Sequence, residues 1–198
     1  MASPARRVGA ESSATRALIL NATTELIRDE GYASVSTRRV AAQAGLKPSL
    51  VHYYFPTTDD LLVAVSAMGA EESDRMIEKA LASDDPIRAL WDFYTDTSRM
   101  EMALEFMAMA NHRKTLRQHM AEHCEAMRKR EVEVLARLIG ERMGTFGGCA
   151  PAGLSLVLAG IGRALIMEGT LGVSGGHAEA KAFVEQWLDS LAAPGTTS

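Results

Sequence analysis

Two short runs of the chain carry residues whose types and spacing could do chemistry. Residues 119–123 read His-Met-Ala-Glu-His, followed by Cys124. Histidines four apart share one face of a helix, so His119 and His123 could hold a divalent metal with a thiol beside them, and the H-x-x-E-H order is that of some zinc peptidases. The pattern is only five residues long and no third ligand can be assigned, so a partly exposed helix face with no metal explains it more cheaply. No P-loop, dinucleotide loop or Ser/His/Asp arrangement accompanies it, and the glycines of GTFGGC follow no strand. The expectation is a protein that is not an enzyme and carries no cofactor.

The second run is LKPSLVHYYF, residues 46–55, which sets a histidine and three aromatics just after a glycine and a proline. A buried aromatic knot is one explanation. The other is recognition: a short helix showing Lys, Ser, His and Tyr outward can reach phosphates and base edges. The residues before it decide between the two. A helix-turn-helix needs a small residue where its helices cross, glycine at the turn, where φ is positive, and apolar residues at the remaining inward positions. Val40, Ala41, Ala44, Gly45, Leu46, Val51 and Tyr54 meet these demands at the required spacing. Phe55 joins the inward set, which leaves Lys47, Pro48, Ser49, Leu50, His52 and Tyr53 facing out. Pro48 at the first helical position costs nothing, because that N–H has no intrahelical partner.

The elements that must position these residues are all helical. Residues 13–30 bring Ile19, Ala22, Leu26 and Ile27 onto one stripe that Gly31 ends, and Ser34 or Ser36 caps a short helix to about Gln43. Thr57 with Asp60 resembles a capping box opening a long helix to about Leu81. Asp84-Asp85-Pro86 opens another, with Ile87, Leu90, Trp91 and Tyr94 inward. Residues 114–143 form a long helix with a stripe through Leu116, Met120, Cys124, Met127, Val134 and Leu138. After the loop GTFGGCAP come a nearly all-apolar helix at about 152–171 and a last helix with Phe183, Val184, Trp187 and Leu191 on one face. The fold class is therefore all-α, a three-helix helix-turn-helix head on a larger helical body.

Charge follows the same division. Residues 1–56 hold seven Lys/Arg against four Asp/Glu, a net of +3, while the rest holds fourteen against twenty-one, a net of −7. A basic head on an acidic body is the layout of a nucleic-acid-binding module carried by something else. Two distant cysteines in 198 residues suit a reducing compartment, and the N-terminus has arginines without the apolar stretch of a signal peptide. The stretch APAGLSLVLAGIGRALIM is interrupted by Arg163 and reads as too short and broken to span a bilayer, so a cytoplasmic protein without a membrane partner is expected.

The run TRALILNATTELIRDEGYASVSTRRVAAQAGLKPSLVHYYFPTTDDLL resembles the N-terminal domain of the TetR family of bacterial transcriptional regulators. The resemblance implies a homodimer that binds a palindromic double-stranded DNA operator and answers a small-molecule effector, most often as a repressor. It places Ser36, Thr37 and Arg38 at phosphate contacts and Ser49, Leu50, His52 and Tyr53 on the helix that reads DNA, with Lys47 and Pro48 at its start. Arg39 stands where relatives carry an acid and would add a phosphate contact; Thr58 stands where a lysine is usual. Leu50 replaces a small polar residue and suits a thymine methyl, and His52 replaces a tyrosine.

For the body the resemblance implies an effector pocket between helices. Six of the eleven methionines fall between residues 100 and 127, and with the aromatics around Trp91 they make an adaptable apolar region. The expected pocket residues are Trp91, Tyr94, Met102, Phe106, Met109, His112, His123 and Met127, for a mostly apolar effector. The last two helices suggest a four-helix dimer interface through Leu158, Ile161, Leu165, Phe183, Trp187 and Leu191, with Gly160 and Gly162 allowing close approach. The expected organisation is an arm at 1–12, in which Arg6 and Arg7 could reach the minor groove, a head at 13–57, a body at 58–194 and a tail at 195–198. An architectural DNA-binding protein without ligand and a metal-responsive regulator are the alternatives.

Overall fold

The computed structural model describes residues 14–141 and 149–192, with the side chains of 139–141 and 191–192 left out. The arm with Arg6 and Arg7, most of the GTFGGCAP loop, the side chain of Leu191 and the tail lie outside the described residues. Among the described residues there are nine α-helices and no strand. They are α1 (Ala14–Glu30), α2 (Thr37–Gln43), α3 (Pro48–Tyr54), α4 (Thr58–Leu81), α5 (Pro86–Thr95), α6 (Thr97–Ala110), α7 (Lys114–Glu141), α8 (Pro151–Thr170) and α9 (His177–Ala192). A 3₁₀ turn, Tyr32–Ser34, sits between α1 and α2.

Side chains at the helix starts explain several boundaries. Ser36 accepts a hydrogen bond from the Arg39 N–H and so caps α2, whereas Ser34 instead bonds back to the carbonyls of Leu26 and Gly31. Thr57 and Asp60 satisfy each other's N–H at 3.0 and 3.1 Å, the reciprocal box that the spacing predicts before α4. Asp85 caps α5 and Asp96 accepts from the Arg99 N–H at the start of α6. The α6 helix has no counterpart in the sequence reading.

The chain divides into two compact units: residues up to Glu71 together with Glu105–Ala121, and Glu72–Leu104 together with the residues from Glu122 on. In the first, Ile19, Ala22, Leu26 and Ile27 of α1 are buried with Val40, Ala41, Val51 and Phe55. Each large apolar side chain in that set contributes about 1.5–3 kcal/mol by leaving water. Arg113 pairs with Asp59 within the same unit.

In the second unit α5 packs along α8. Ile87, Leu90, Trp91 and Tyr94 on α5 meet Leu154, Leu158, Ala159, Leu165 and Ile166 of α8, with Val184 and Leu188 of α9 in the same core. Gly162 fixes the approach: a Cβ there would sit 2.4 Å from the carbonyl oxygen of Tyr94. Gly160, on the other side of α8, faces open space. The two glycines therefore differ, and only Gly162 serves a close approach within the chain.

This packing corrects part of the expected dimer face. Leu158 and Leu165 are 1% and 8% exposed inside the chain's own core, so they have nothing to offer a second copy. Ile161 and Trp187 are half-buried against that core. On α9 the inward residues are Val184 and Leu188, while Phe183 is 69% exposed. The apolar side chains that α8 shows to solvent are Leu156, Val157 and Met167, with Leu171 just beyond its end. By length and composition α8, at 20 residues, could also cross a membrane, which the sequence reading judged too short to do. Its α5-facing side is occupied within the second unit.

Candidate nucleic-acid interface and ligand-binding body

The proposed reading helix rests on the α2–α3 turn. Val40 and Ala41 are 0% and 1% exposed where α2 meets α3, and Gly45 takes φ +65°, the left-handed conformation that an L side chain resists. The Leu46 N–H then bonds the Ala41 carbonyl at 2.8 Å and closes the turn. From α3, Val51 and Phe55 are buried and Tyr54 is half-buried. Lys47, the N-cap of α3, and Pro48, Ser49, Leu50, His52 and Tyr53 within it are all exposed. Tyr53 stacks edge-on against Tyr54, ring centroids 5.5 Å apart, which steadies the outward phenol.

At the start of α2, Ser36, Arg38 and Arg39 are exposed and Thr37 is half-buried. Ser36 is occupied as a cap, so its side chain reaches a phosphate only while also accepting from Arg39. Arg39 is ion-paired with Glu30 of α1. A phosphate at Arg39 would have to compete with that carboxylate, a constraint invisible at the level of spacing. Gln43 bonds Glu25 at 3.0 Å and ties α2 to α1 a second time.

The expected pocket residues fall into both units. Phe106 and Met109 are buried in the first, and His112 is exposed in the turn after α6, so His112 is not an interior anchor. Trp91, Tyr94 and Met127 belong to the core of the second, where Met102 and His123 are half-buried. Trp91 donates its indole N–H to Glu185 at 2.9 Å, and Arg88 bonds Glu185 and Asp189 at 2.5 and 2.6 Å, clasping α5 to α9. His123 faces Asp74 at 3.7 Å, beside the Arg130–Asp74 pair.

The most unusual group in this unit is Glu131, a carboxylate with 0% exposure. Tyr94 donates to its Oε1 at 2.6 Å, Ser155 donates to its Oε2, and Arg128 donates to the Ser155 hydroxyl at 2.7 Å. Burial above all pushes the Tyr94 phenol well above the ordinary tyrosine range; the Glu131 charge and hydrogen bond add to this, and Arg128 and Ser155 oppose it. The stripe of α7 through Leu116, Met120 and Met127 continues to 131, so a charged residue at an inward position was the available signal that the sequence reading passed over.

The His119–His123 run lies on α7, and no group of three possible metal ligands forms among the described residues. Burial pushes the Cys124 thiol up, with Arg163 and Arg128 pulling partly the other way, so the thiolate that a metal would need is disfavoured.

Comparison with known proteins bears first on the head. The family model described as "Bacterial regulatory proteins, tetR family" matches residues 19–65, the segment that contains the whole turn and its reading helix. The head of this chain is therefore that of a TetR-family N-terminal domain. The HTH-type transcriptional regulator BetI of Rhizobium meliloti (strain 1021) is 28% identical over 141 residues, 69% of this chain and 64% of that protein. The match thus spans less than two thirds of that relative's length. A TetR transcription regulator from Haloarcula marismortui shares the fold with a TM-score of 0.73 at 22% identity, covering 89% of this chain and 97% of that one. So does a transcriptional regulator from Saccharomonospora viridis solved in complex with choline, with a TM-score of 0.70 at 18% identity, covering 89% and 93%. The all-α fold is therefore shared along nearly the full length of the chain, and the family match falls on its helix-turn-helix head.

Proposed function

We propose that this TetR-family regulator is a homodimeric repressor that grips a palindromic operator and releases it when a small, mostly apolar effector binds the body. The observation that carries the DNA half is the outward set Lys47–Leu50, His52 and Tyr53 at the start of and along α3, held by Val51 and Phe55 beneath. A helix exposed in this way suits the major groove, and two copies related by a two-fold axis would read two half-sites. The dimer is supported by apolar surface that the chain does not cover: Leu156, Val157, Met167, Leu171 and Phe183. Leu156, Gly160, Ala164 and Met167 recur at helical spacing along one side of α8, opposite the α5 contact. These residues replace Leu158 and Leu165 as the proposed interface.

The effector reading rests on the methionine and aromatic content of the helices from α5 to α7. A ligand there shifts the DNA-binding state only through its differential affinity for two conformations, typically about 1–3 kcal/mol of coupling. A cation such as the choline of the Saccharomonospora viridis structure would find the Phe93 ring face already taken. The guanidinium of Arg99 already lies 3.5 Å from the centre of the Phe93 ring, so that ring face has its cation.

Selection of bound fragments from randomised DNA, followed by affinity at two salt concentrations, tests the reading. An enriched palindrome with affinity falling steeply as salt rises is expected. Weak binding without sequence preference would shift the assignment to an architectural protein. Tyr53→Phe should weaken operator binding by roughly three- to tenfold, one hydrogen bond's worth, with unchanged thermal unfolding. Lys47→Gln should weaken all sequences alike and lower the salt slope by about one. An unaltered operator affinity in Tyr53→Phe removes that residue from the interface.

For the dimer, Phe183→Glu and Met167→Glu place charges on the exposed apolar surface. Sedimentation should show wild-type dimers and variant monomers with helical content intact. Variants that remain dimeric put the interface elsewhere.

A further inference from the structure

The second unit holds a cleft that the regulator's proposed effector site does not include. Past Gly162, where α8 is pressed on Tyr94, α5 ends at Thr95 and the chain turns into α6 at Thr97. The last turns of α8 run on, and their core-facing side, Leu165, Ile166 and Gly169, lines a cavity of about 220 Å³. This side of α8 is the one that carries Leu158 and Gly162, away from the exposed apolar stripe. The volume is below the usual range of about 300–1,000 Å³ for drug-sized pockets, so a small occupant is required.

The rim chooses the chemistry. Glu101 of α6 and Lys181 of α9 both line the cleft, both are exposed, and neither is paired with the other or with another described residue. Opposite charges on one small cleft that do not close on each other can each take one end of a dipolar ligand. Thr95 and Thr170 also line it; their hydroxyls donate to the carbonyls of Trp91 at 2.9 Å and Met167 at 2.8 Å, which leaves lone pairs to accept from an ammonium. Leu165 and Ile166 give an apolar wall, and the space beside Gly169 is open.

We propose that this cleft binds a small aliphatic molecule carrying both an ammonium and a carboxylate, of the amino-acid class. The ammonium meets Glu101 with the threonine hydroxyls, the carboxylate meets Lys181, and the aliphatic part lies on Leu165 and Ile166. The assignment stands on the cleft itself and not on operator release, so it is tested by binding alone.

The probe is L-leucine, titrated calorimetrically into the full-length protein beside its two singly charged analogues, isoamylamine and 4-methylpentanoate. Saturable binding of leucine is expected, with each analogue at least about tenfold weaker, since each loses one charged hydrogen bond. Glu101→Gln should weaken leucine and isoamylamine but leave 4-methylpentanoate unchanged, and Lys181→Gln should do the reverse. Both side chains are exposed, so neither change should disturb folding. No saturable leucine binding at tens of millimolar overturns the proposal. So does binding that Glu101→Gln and Lys181→Gln together leave intact.

Discussion

Gly162→Ala should lower the unfolding temperature by roughly 6–12 °C, while Gly160→Ala should raise it by about 2–4 °C. The added methyl group at 162 would lie 2.4 Å from the Tyr94 carbonyl oxygen and 3.0 Å from the Tyr94 Cβ. The first of these is backbone, held by the α5 helix, so it cannot rotate aside as a side chain would. Relief requires α5 and α8 to separate, which loosens the packing of Leu90, Trp91, Leu154 and Leu158 together. Overpacking of this kind typically costs about 1–3 kcal/mol, and a backbone clash belongs at the upper end. In a chain of this size each kcal/mol moves the midpoint by about 2–4 °C. At 160 the same methyl meets nothing within the chain, and alanine is the better helix former by about 1 kcal/mol. Differential scanning calorimetry of both variants is the measurement. A Gly162→Ala protein that melts with the wild type would mean that α5 and α8 are farther apart than described.

The head was legible in the sequence to the level of single residues. A helix-turn-helix constrains seven positions tightly, and the same residues that meet those constraints, from Val40 to Tyr54, leave the outward set by elimination. The capping box at Thr57–Asp60 and the cap at Ser36 are equally local, since each involves groups three residues apart. Arg39 marks the limit of that reading: its partner Glu30 lies across a turn, and spacing says nothing of it.

The body was legible only as a set of helices. An almost wholly apolar helix such as α8 has no polar face to show which side is inward, so periodicity could not orient it. That is why Leu158 and Leu165 were placed at an interface, although Gly162 and the α5 contact turn them into the core. For α9 the adjacent pair Phe183-Val184 fits either face, and the packing of Val184 and Leu188 decides. On α7 the stripe drifts, so that Leu135 is fully buried where Val134 was expected. The α6 helix opens on a signal as local as the caps at Ser36 and Thr57, Asp96 accepting from the Arg99 N–H three residues on, but its boundary with α5 is a single residue and the two helices read as one run.

Glu131→Ala should destabilise the protein by about 3–5 kcal/mol, a fall of roughly 6–20 °C in the unfolding temperature. The carboxylate is the acceptor for two buried hydroxyls, those of Tyr94 and Ser155, and its removal leaves both donors without a partner beside a new cavity. Glu131→Gln keeps the shape and one acceptor oxygen but turns an amide N–H₂ toward the second hydroxyl, so an intermediate loss is expected. The same network predicts a response to alkali. Below about pH 10, the ordinary tyrosine value, the phenol keeps its proton in both states and the folded state has its full contribution. Above it the unfolded chain releases the proton while buried Tyr94, its pKa raised, retains it, so stability is lost as pH climbs from about 10. Tyr94→Phe should cost about 1.5–3 kcal/mol at pH 7 for the lost hydrogen bond to a buried carboxylate, and should flatten the decline above pH 10. Chemical denaturation of the wild type and Tyr94→Phe from pH 7 to 11 separates the two effects. Parallel curves above pH 10 would show that the Tyr94 phenol titrates as freely in the folded protein as in the unfolded chain.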